Sequence, residues 1–359
     1  MIAKEDFYLI YYLLYFFAAL AAIVVSLKAV ELYNNKLIYS SKMLSILLVI
    51  SIILLTGLRA YTVGTDTGNY YREWLRIKGV VVTTDFIYYY IMFTIKKIGL
   101  SYQHFLFLIS TIFFLVIYKS LKNLSESYGV NLYLIIFCFL SFFFSLTLSI
   151  NVVRQGLSLA FLLLAYSYLI SNQSKRKIII FSIISLFFHL TAIIPIFLFV
   201  IATLTKRLNL NLFVCLYFIG VLLAYLNYGI LDHTSFLSEI LQNDKRLSYV
   251  TTINHHYIVG FKFQFVIFNT IFLIISLYIF KVFQLGSIYK TGIIYYILSS
   301  FMFFMAFQLS FSDRWGLFSW IFLPVLLVPL FSIQIIRKIY YLFFTLLLIG
   351  IFVFFNIYE

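Results

Sequence analysis

Apolar residues fill this chain in long unbroken runs, and polar residues gather in the short gaps between them. The runs lie near residues 7–28, 43–58, 103–119, 131–150, 154–171, 178–204, 210–231, 263–283, 291–311, 315–336 and 339–357. Most approach the roughly 20 residues that a helix needs to cross about 30 Å of hydrocarbon. Stretches such as LYLIIFCFLSFFFSLTLSI show no period-two alternation, which sets aside the strands of a membrane barrel. The pattern predicts an all-α polytopic membrane protein with about 10–12 transmembrane helices. Residues 1–359 read as a single integral membrane domain. The first run contains Ala19-Leu20-Ala21, a small-residue site of the kind that signal peptides carry. Apolar sequence continues beyond it through AIVVSL, and Glu5 and Asp6 offset Lys4, so it reads as a retained first helix.

Composition agrees: 64% hydrophobic and 11% charged residues, with a mean hydropathy of +1.05, exclude an ordinary soluble globule. The net charge of +14 comes from Lys and Arg in the connectors, where basic residues mark the cytoplasmic side, and it gives no reason to expect nucleic acid. Placing Lys28/Lys36/Lys42, Lys119/Lys122, Lys175/Arg176/Lys177, Lys206/Arg207, Lys281/Lys290 and Arg337/Lys338 inside together satisfies simple alternation except at residues 178–204, which are basic at both ends. Two readings meet this exception. In one, 178–204 is a re-entrant hairpin turning near FHLTAIIP, where Pro195 disfavours continuous helix and His189 sits at membrane depth. In the other it is one long kinked helix.

With the hairpin, residues 59–102 become the first extracytoplasmic loop and 232–261 a second large one, and Arg59, Asp66, Arg154, Asp313 and Arg314 all fall on the outer side. Within the first loop, residues 84–98 are apolar but short and tyrosine-rich, which predicts an interfacial helix. The 30 tyrosines fit an aromatic belt first and sugar stacking second. In the second loop, Lys245, Arg246, His255 and His256 make a candidate cover over a bound glycan.

Charge near lipid is costly, so these outer residues are the candidate site. Arginine's planar, permanently charged fork suits a diphosphate, and Arg59, Arg154 and Arg314 are candidates to converge on one anion. Each also has the plainer role of anchoring a helix at the headgroups. Asp66, in VGTDTGNYY between Gly64 and Gly68, is either an ordinary turn residue or a group that deprotonates a hydroxyl. His189 is either a hydrogen-bonded interior histidine or a general base, its unperturbed pKa of roughly 6.5 suiting neutral pH. Gln155, Tyr70 and Asp313 flank these groups as candidate binding residues. The remaining histidines, His104 and His233 among them, lack metal-ligand spacing, and Cys138 and Cys215 lie in apolar runs as packing residues, so no metal and no cofactor are expected. The chain has no Asp-X-Asp, GxxxxGK[ST] or GxSxG, which argues against a metal-dependent nucleotide-sugar transferase, an ATPase and an α/β hydrolase.

The blocks GLRAYTVGTDTGNYYREW, NVVRQGLSLAFLLLAYSYL, FFHLTAIIPI and SDRWGLF, in that order, resemble the EpsG-like branch of the Wzy-type polysaccharide polymerases. The resemblance implies a GT-C-like, multi-pass glycosyltransferase of the bacterial inner membrane, active on its periplasmic side. Donor and acceptor would both be oligosaccharide repeat units on undecaprenyl diphosphate, with a chain-length regulator as a candidate partner. Position by position it implies roles for Arg59 and Asp66, for Arg154 and Gln155, for His189, and for Arg314. The arginines would hold the diphosphate while Asp66, the first choice by analogy with the loop aspartate of GT-C enzymes, or His189 as the second activates the acceptor hydroxyl. Asp66 follows the second helix, whereas the loop aspartate of GT-C enzymes usually follows the first. An O-antigen ligase would use the same donor. A lipid-oligosaccharide flippase would want charges reachable from both faces, and a sugar O-acyltransferase a histidine in an acyl-transfer motif.

Overall fold

A computed structural model describes residues 1–28, 35–79, 84–171, 174–229, 259–332 and 338–357. Sixteen α-helices are named here in chain order. They are α1 (Lys4–Lys28), α2 (Asn35–Gly57), α3 (Thr67–Arg76), α4 (Phe86–Lys97), α5 (Tyr102–Tyr128), α6 (Leu132–Leu140), α7 (Phe143–Ile150), α8 (Val153–Ile170), α9 (Lys175–Phe188), α10 (Ile193–Leu204), α11 (Leu210–Tyr225), α12 (Phe263–Val282), α13 (Ser287–Met305), α14 (Asp313–Trp320), α15 (Leu323–Leu327) and α16 (Lys338–Ile357). The chain is a polytopic membrane protein. Six described segments are long and apolar enough to cross a bilayer, namely α1, α5, α8, α12, α13 and the run Asp313–Phe331. The shorter apolar helices Ser41–Gly57, Leu190–Leu204, Leu210–Tyr225 and Tyr340–Asn356 coincide with runs predicted from the pattern.

Residues 131–150, read from the pattern as one span, form two helices, α6 and α7, bent by 76°. No proline marks the break. The Ser141 hydroxyl back-bonds to the Phe137 carbonyl at 2.8 Å and meets the Tyr15 hydroxyl at 2.9 Å, a side-chain competition for backbone groups that bends helices. Residues 178–204 are also interrupted, at His189, whose extended backbone (φ −159°) separates α9 from a short 3-10 turn and α10. Pro195 does not itself make that break. It lies in the first turn of α10, where a missing N–H is tolerated.

The helices cluster into two units, Met1–Ile193 with Leu327–Glu359, and Ile194–Leu326. In the first, α8 is buried on nearly every side and is rich in small residues, including Gly156, Ser158, Ala160, Ala165 and Ser167, which let helices approach closely. The Ser185 hydroxyl of α9 donates to the Ser158 carbonyl at 2.7 Å, and Asn123 of α5 donates to Ser167 at 3.0 Å. Gly156 is where the closest approach occurs: a Cβ there would stand 2.1 Å from the Leu148 carbonyl oxygen of α7. In the second unit, α13 packs against α11 and α14. Its buried polar knot centres on Asn269, which accepts from Trp320 Nε1 at 2.8 Å and donates to Ser300 at 3.0 Å. Cys138 is buried as expected, but Cys215 is exposed on α11, whose outer face is apolar all round (Leu212, Phe218, Ile219, Leu222), the composition of a surface meeting lipid.

Candidate active site

The first unit gathers most of the predicted site residues at one end of its helices. The chain leaving α2 runs through Arg59 into the VGTDTG loop, which docks on the junction between α7 and α8. Thr65 N–H donates to Asn151 Oδ1 at 2.9 Å, the Thr67 hydroxyl to the Ile150 carbonyl at 2.9 Å, and the Tyr70 hydroxyl to the Asn151 carbonyl at 3.1 Å. Gly64 makes this possible. Its φ is +87°, and a Cβ would lie 2.7 Å from Asn151 Oδ1. The loop and the NVVRQG block, 86 residues apart at Thr65 and Asn151, are therefore one local structure.

At its centre is a carboxylate that the sequence did not single out. Asp85 precedes α4 with a left-handed backbone (φ 65°), and its side chain is fully buried. Arg154, in the first turn of α8, donates from Nη1 to Asp85 Oδ2 at 3.1 Å and to the Tyr89 hydroxyl at 2.8 Å. His189 Nδ1 lies 3.2 Å from both Asp85 oxygens. With the carboxylate ionised and able only to accept, Nδ1 carries the proton and donates. Leu190 N–H, released by the helix break, donates to Asp85 Oδ1 at 3.0 Å. The break at His189 thus turns the imidazole and the first free backbone donor of the following turn toward one acid.

Tyrosines wall this group. The Arg154 guanidinium carbon sits 5.5 Å from the Tyr70 ring centroid, 5.9 Å from that of Tyr88 and 5.6 Å from that of Tyr89, within cation–π range. Burial raises the Tyr89 phenol, and Glu73 and Asp85 add to the rise while Arg154 opposes it, so Tyr89 stays a neutral hydroxyl. Both bonds of Arg154 leave from Nη1, and 26% of its side chain is exposed. Its fork can reach a ligand without giving up Asp85.

Arg59 is fully buried. It donates to the Thr56 carbonyl and to Ser110, while its Nε and Nη2 have no partner among the described residues. Burial lowers its pKa to about 10, against the pull of the Tyr102, Tyr88 and Tyr70 hydroxyls, so it remains cationic at neutral pH. Arg59 and Arg154 share Tyr70 and Tyr88 as neighbours. Asp66 stands at the head of α3, half-buried, and its side chain does not cap that helix. Gln155 is buried beside Arg154. Glu73, one turn on from Tyr70, has a buried carboxylate oxygen, Oε2, with no partner among the described residues, and its side chain acts on Tyr89 by hydrogen bonding and charge and on Arg154 by charge.

Arg314 and Asp313 belong to the second unit. There the Arg314 guanidinium lies 4.9 Å from the Phe311 ring, and Lys262 donates to the neighbouring Ser312 hydroxyl at 2.6 Å. Lys245, Arg246, His255 and His256 lie outside the described residues. His104 is a helix cap, paired with Ser101 at 2.8 Å at the start of α5. Among the described residues no group of three or more His, Cys, Asp or Glu side chains is placed to hold a metal ion.

Glu73 belongs to the charged stretch Leu58–Trp74 that stands out in the sequence, but Asp85 could not be picked out from the chain. Asp85 sits in TTDFIYYY, where an aspartate before a helix reads as a cap, and only the fold carries it to Arg154 and His189.

A family model described as the EpsG family matches residues 42–359 of the chain. No curated protein and no solved structure matches the chain.

Proposed function

Because the chain belongs to the EpsG family, which points to a polysaccharide polymerase, we propose that it joins oligosaccharide repeat units carried on undecaprenyl diphosphate at the outer face of a bacterial inner membrane. The observation that carries this reading is the buried Asp85 carboxylate shared by Arg154 and His189. Asp85 fixes the imidazole with its proton on Nδ1, which makes Nε2 the atom that takes the proton of an acceptor sugar hydroxyl. That oxygen then attacks the anomeric carbon of the donor, and the bond from that carbon to the diphosphate breaks. Undecaprenyl diphosphate leaves with the electron pair.

Arg154 supplies the positive charge that stabilises the leaving diphosphate through its remaining donors. Arg59, enclosed as it is, adds positive potential beneath the tyrosines rather than a direct contact. Arginine charge is sufficient for this chemistry without a metal. Asp66 is the second candidate base, since it heads α3 on the loop that docks beside Arg154. Arg314 and Asp313 stay proposed glycan- or diphosphate-binding residues.

The test is purified protein in liposomes with native undecaprenyl-diphosphate oligosaccharide, no nucleotide sugar and excess chelator, with products resolved by size. A ladder of repeat units is expected. Transfer of one block to a lipid A core acceptor without a ladder would identify a ligase instead, and movement of the lipid between leaflets without new linkages a flippase.

A further inference from the structure

Beside the Asp85 group the first unit holds a second feature that the proposed chemistry does not use. It is an open cleft of about 380 Å³ lined by Tyr61, Tyr71, Trp74, Tyr102, Gln103 and Lys96, among others, within the span of small-molecule sites, roughly 300–1,000 Å³. Helix α3 serves both places. Its Tyr70 reaches Arg154, while Tyr71 and Trp74 face the cleft. Buried Phe105 packs against Trp74 at 5.9 Å on the cleft wall and against Tyr88 at 5.4 Å in the Arg154 group.

The lining selects a class of ligand. Tyr61 and Tyr71 stack with centroids 4.9 Å apart and planes 14° apart, and Tyr71 and Trp74 both meet Tyr102. Tyr61 is 45% exposed, so one aromatic face is left open. Lys96 in the wall gives its N–H donors to the carbonyls of Trp74, Leu75 and Ile77 at 2.7, 3.0 and 3.1 Å, so its contribution there is charge rather than a free donor. A hydrocarbon tail would leave a polar group unsatisfied. The Gln103 amide nitrogen donates to the carbonyls of Gly57 and Arg59, which fixes the amide's orientation, and its Oε1 is a buried acceptor with no partner among the described residues. The ligand that suits such a wall has an apolar C–H face to lie on aromatic rings and a hydroxyl to donate.

We infer that this cleft is a glycan-binding subsite that seats a sugar ring of the polysaccharide on Tyr61 and Tyr71, with a hydroxyl donated to Gln103. The inference rests on the polymerase reading for the identity of the glycan, and it gives that reading a second holding point apart from the diphosphate.

The experiment measures binding without turnover. Oligosaccharides of two to four repeat units, prepared by partial hydrolysis of the source strain's own polysaccharide and free of lipid, are titrated into full-length protein in detergent. Saturation-transfer NMR detects them. Wild-type protein is expected to transfer saturation to sugar C–H protons, Tyr61→Ala and Tyr71→Ala to weaken binding roughly tenfold, the loss of one well-placed aromatic contact, and Tyr61→Phe and Tyr71→Phe to retain it. His189→Ala is expected to bind as wild type does. Unchanged affinity in both alanine variants, each monodisperse on gel filtration, overturns the subsite, as does the absence of any binding by wild-type protein that still polymerises lipid-linked substrate. Ring-dependent binding by a protein that builds no ladder would uphold the cleft while removing the polymerase reading.

Discussion

Arg154 has two partners of opposite kind, a buried carboxylate and a set of aromatic faces. That changes what its removal does. Read from the chain alone, Arg154 is a surface charge waiting for a diphosphate, and its loss would touch no packing. In the fold it neutralises Asp85, whose side chain has no exposed surface. Arg154→Ala strands a buried anion, a change that costs about 3–5 kcal/mol when a buried pair is broken from one side. The same substitution in an Asp85→Asn background strands nothing, so it should destabilise far less. Thermal unfolding in detergent of the two single variants and the double variant measures this coupling directly. Additive effects would mean that the pair contributes nothing to the fold. Residue-level legibility was uneven for a physical reason. Arg154 and His189 stood out because charge and polarity are rare in an apolar chain. Asp85 did not, because its significance lies in a left-handed turn and a 104-residue contact with His189 that no local pattern encodes.

Elements place these residues through breaks and close approaches rather than through regular helix. The helix stop at His189 supplies both an imidazole and the Leu190 N–H to one acid, and the bend between α6 and α7 brings Ile150 and Asn151 to the loop that carries Asp66. Gly156 lets α7 approach α8 directly beneath Arg154. Gly156→Ala would set a methyl group 2.1 Å from a backbone oxygen, so α7 must shift. The expected result is a loss of about 1–3 kcal/mol by overpacking, with reduced activity, visible as a lowered Tm and a slower rate in the same preparation. Wild-type Tm in this variant would show that the junction has slack. Helix existence was legible throughout because apolar runs set it. The short tyrosine-rich run near 84–98 holds a helix, α4. The 76° bend was not legible, since a serine hydroxyl turning on its own helix leaves no proline or glycine to read.

At the scale of the molecule, long apolar runs dictate a helical membrane protein, and membership of the EpsG family sets its chemistry among polysaccharide polymerases. Topology adds the rest. The loop after α2, the start of α8 and the break after α9 are far apart in sequence and meet at one end of the first unit, where a guanidinium and an imidazole share one buried carboxylate beside an aromatic cleft. The distribution of Lys and Arg led to the expectation that Arg59, Asp66 and Arg154 group together. The partnership within that group, with Asp85 at its centre, needed the three-dimensional packing. The account stands on that partnership, and the most direct test compares initial rates of repeat-unit joining by purified His189→Asn, Asp85→Asn and Asp66→Asn proteins on native lipid-linked substrate, each shown to be folded. The expected result is a loss of at least roughly 100-fold for His189→Asn and Asp85→Asn, the scale of general base catalysis, with Asp66→Asn retaining a measurable rate. Near-wild-type joining by His189→Asn, together with its abolition in Asp66→Asn, would contradict the account and move the base to the head of α3.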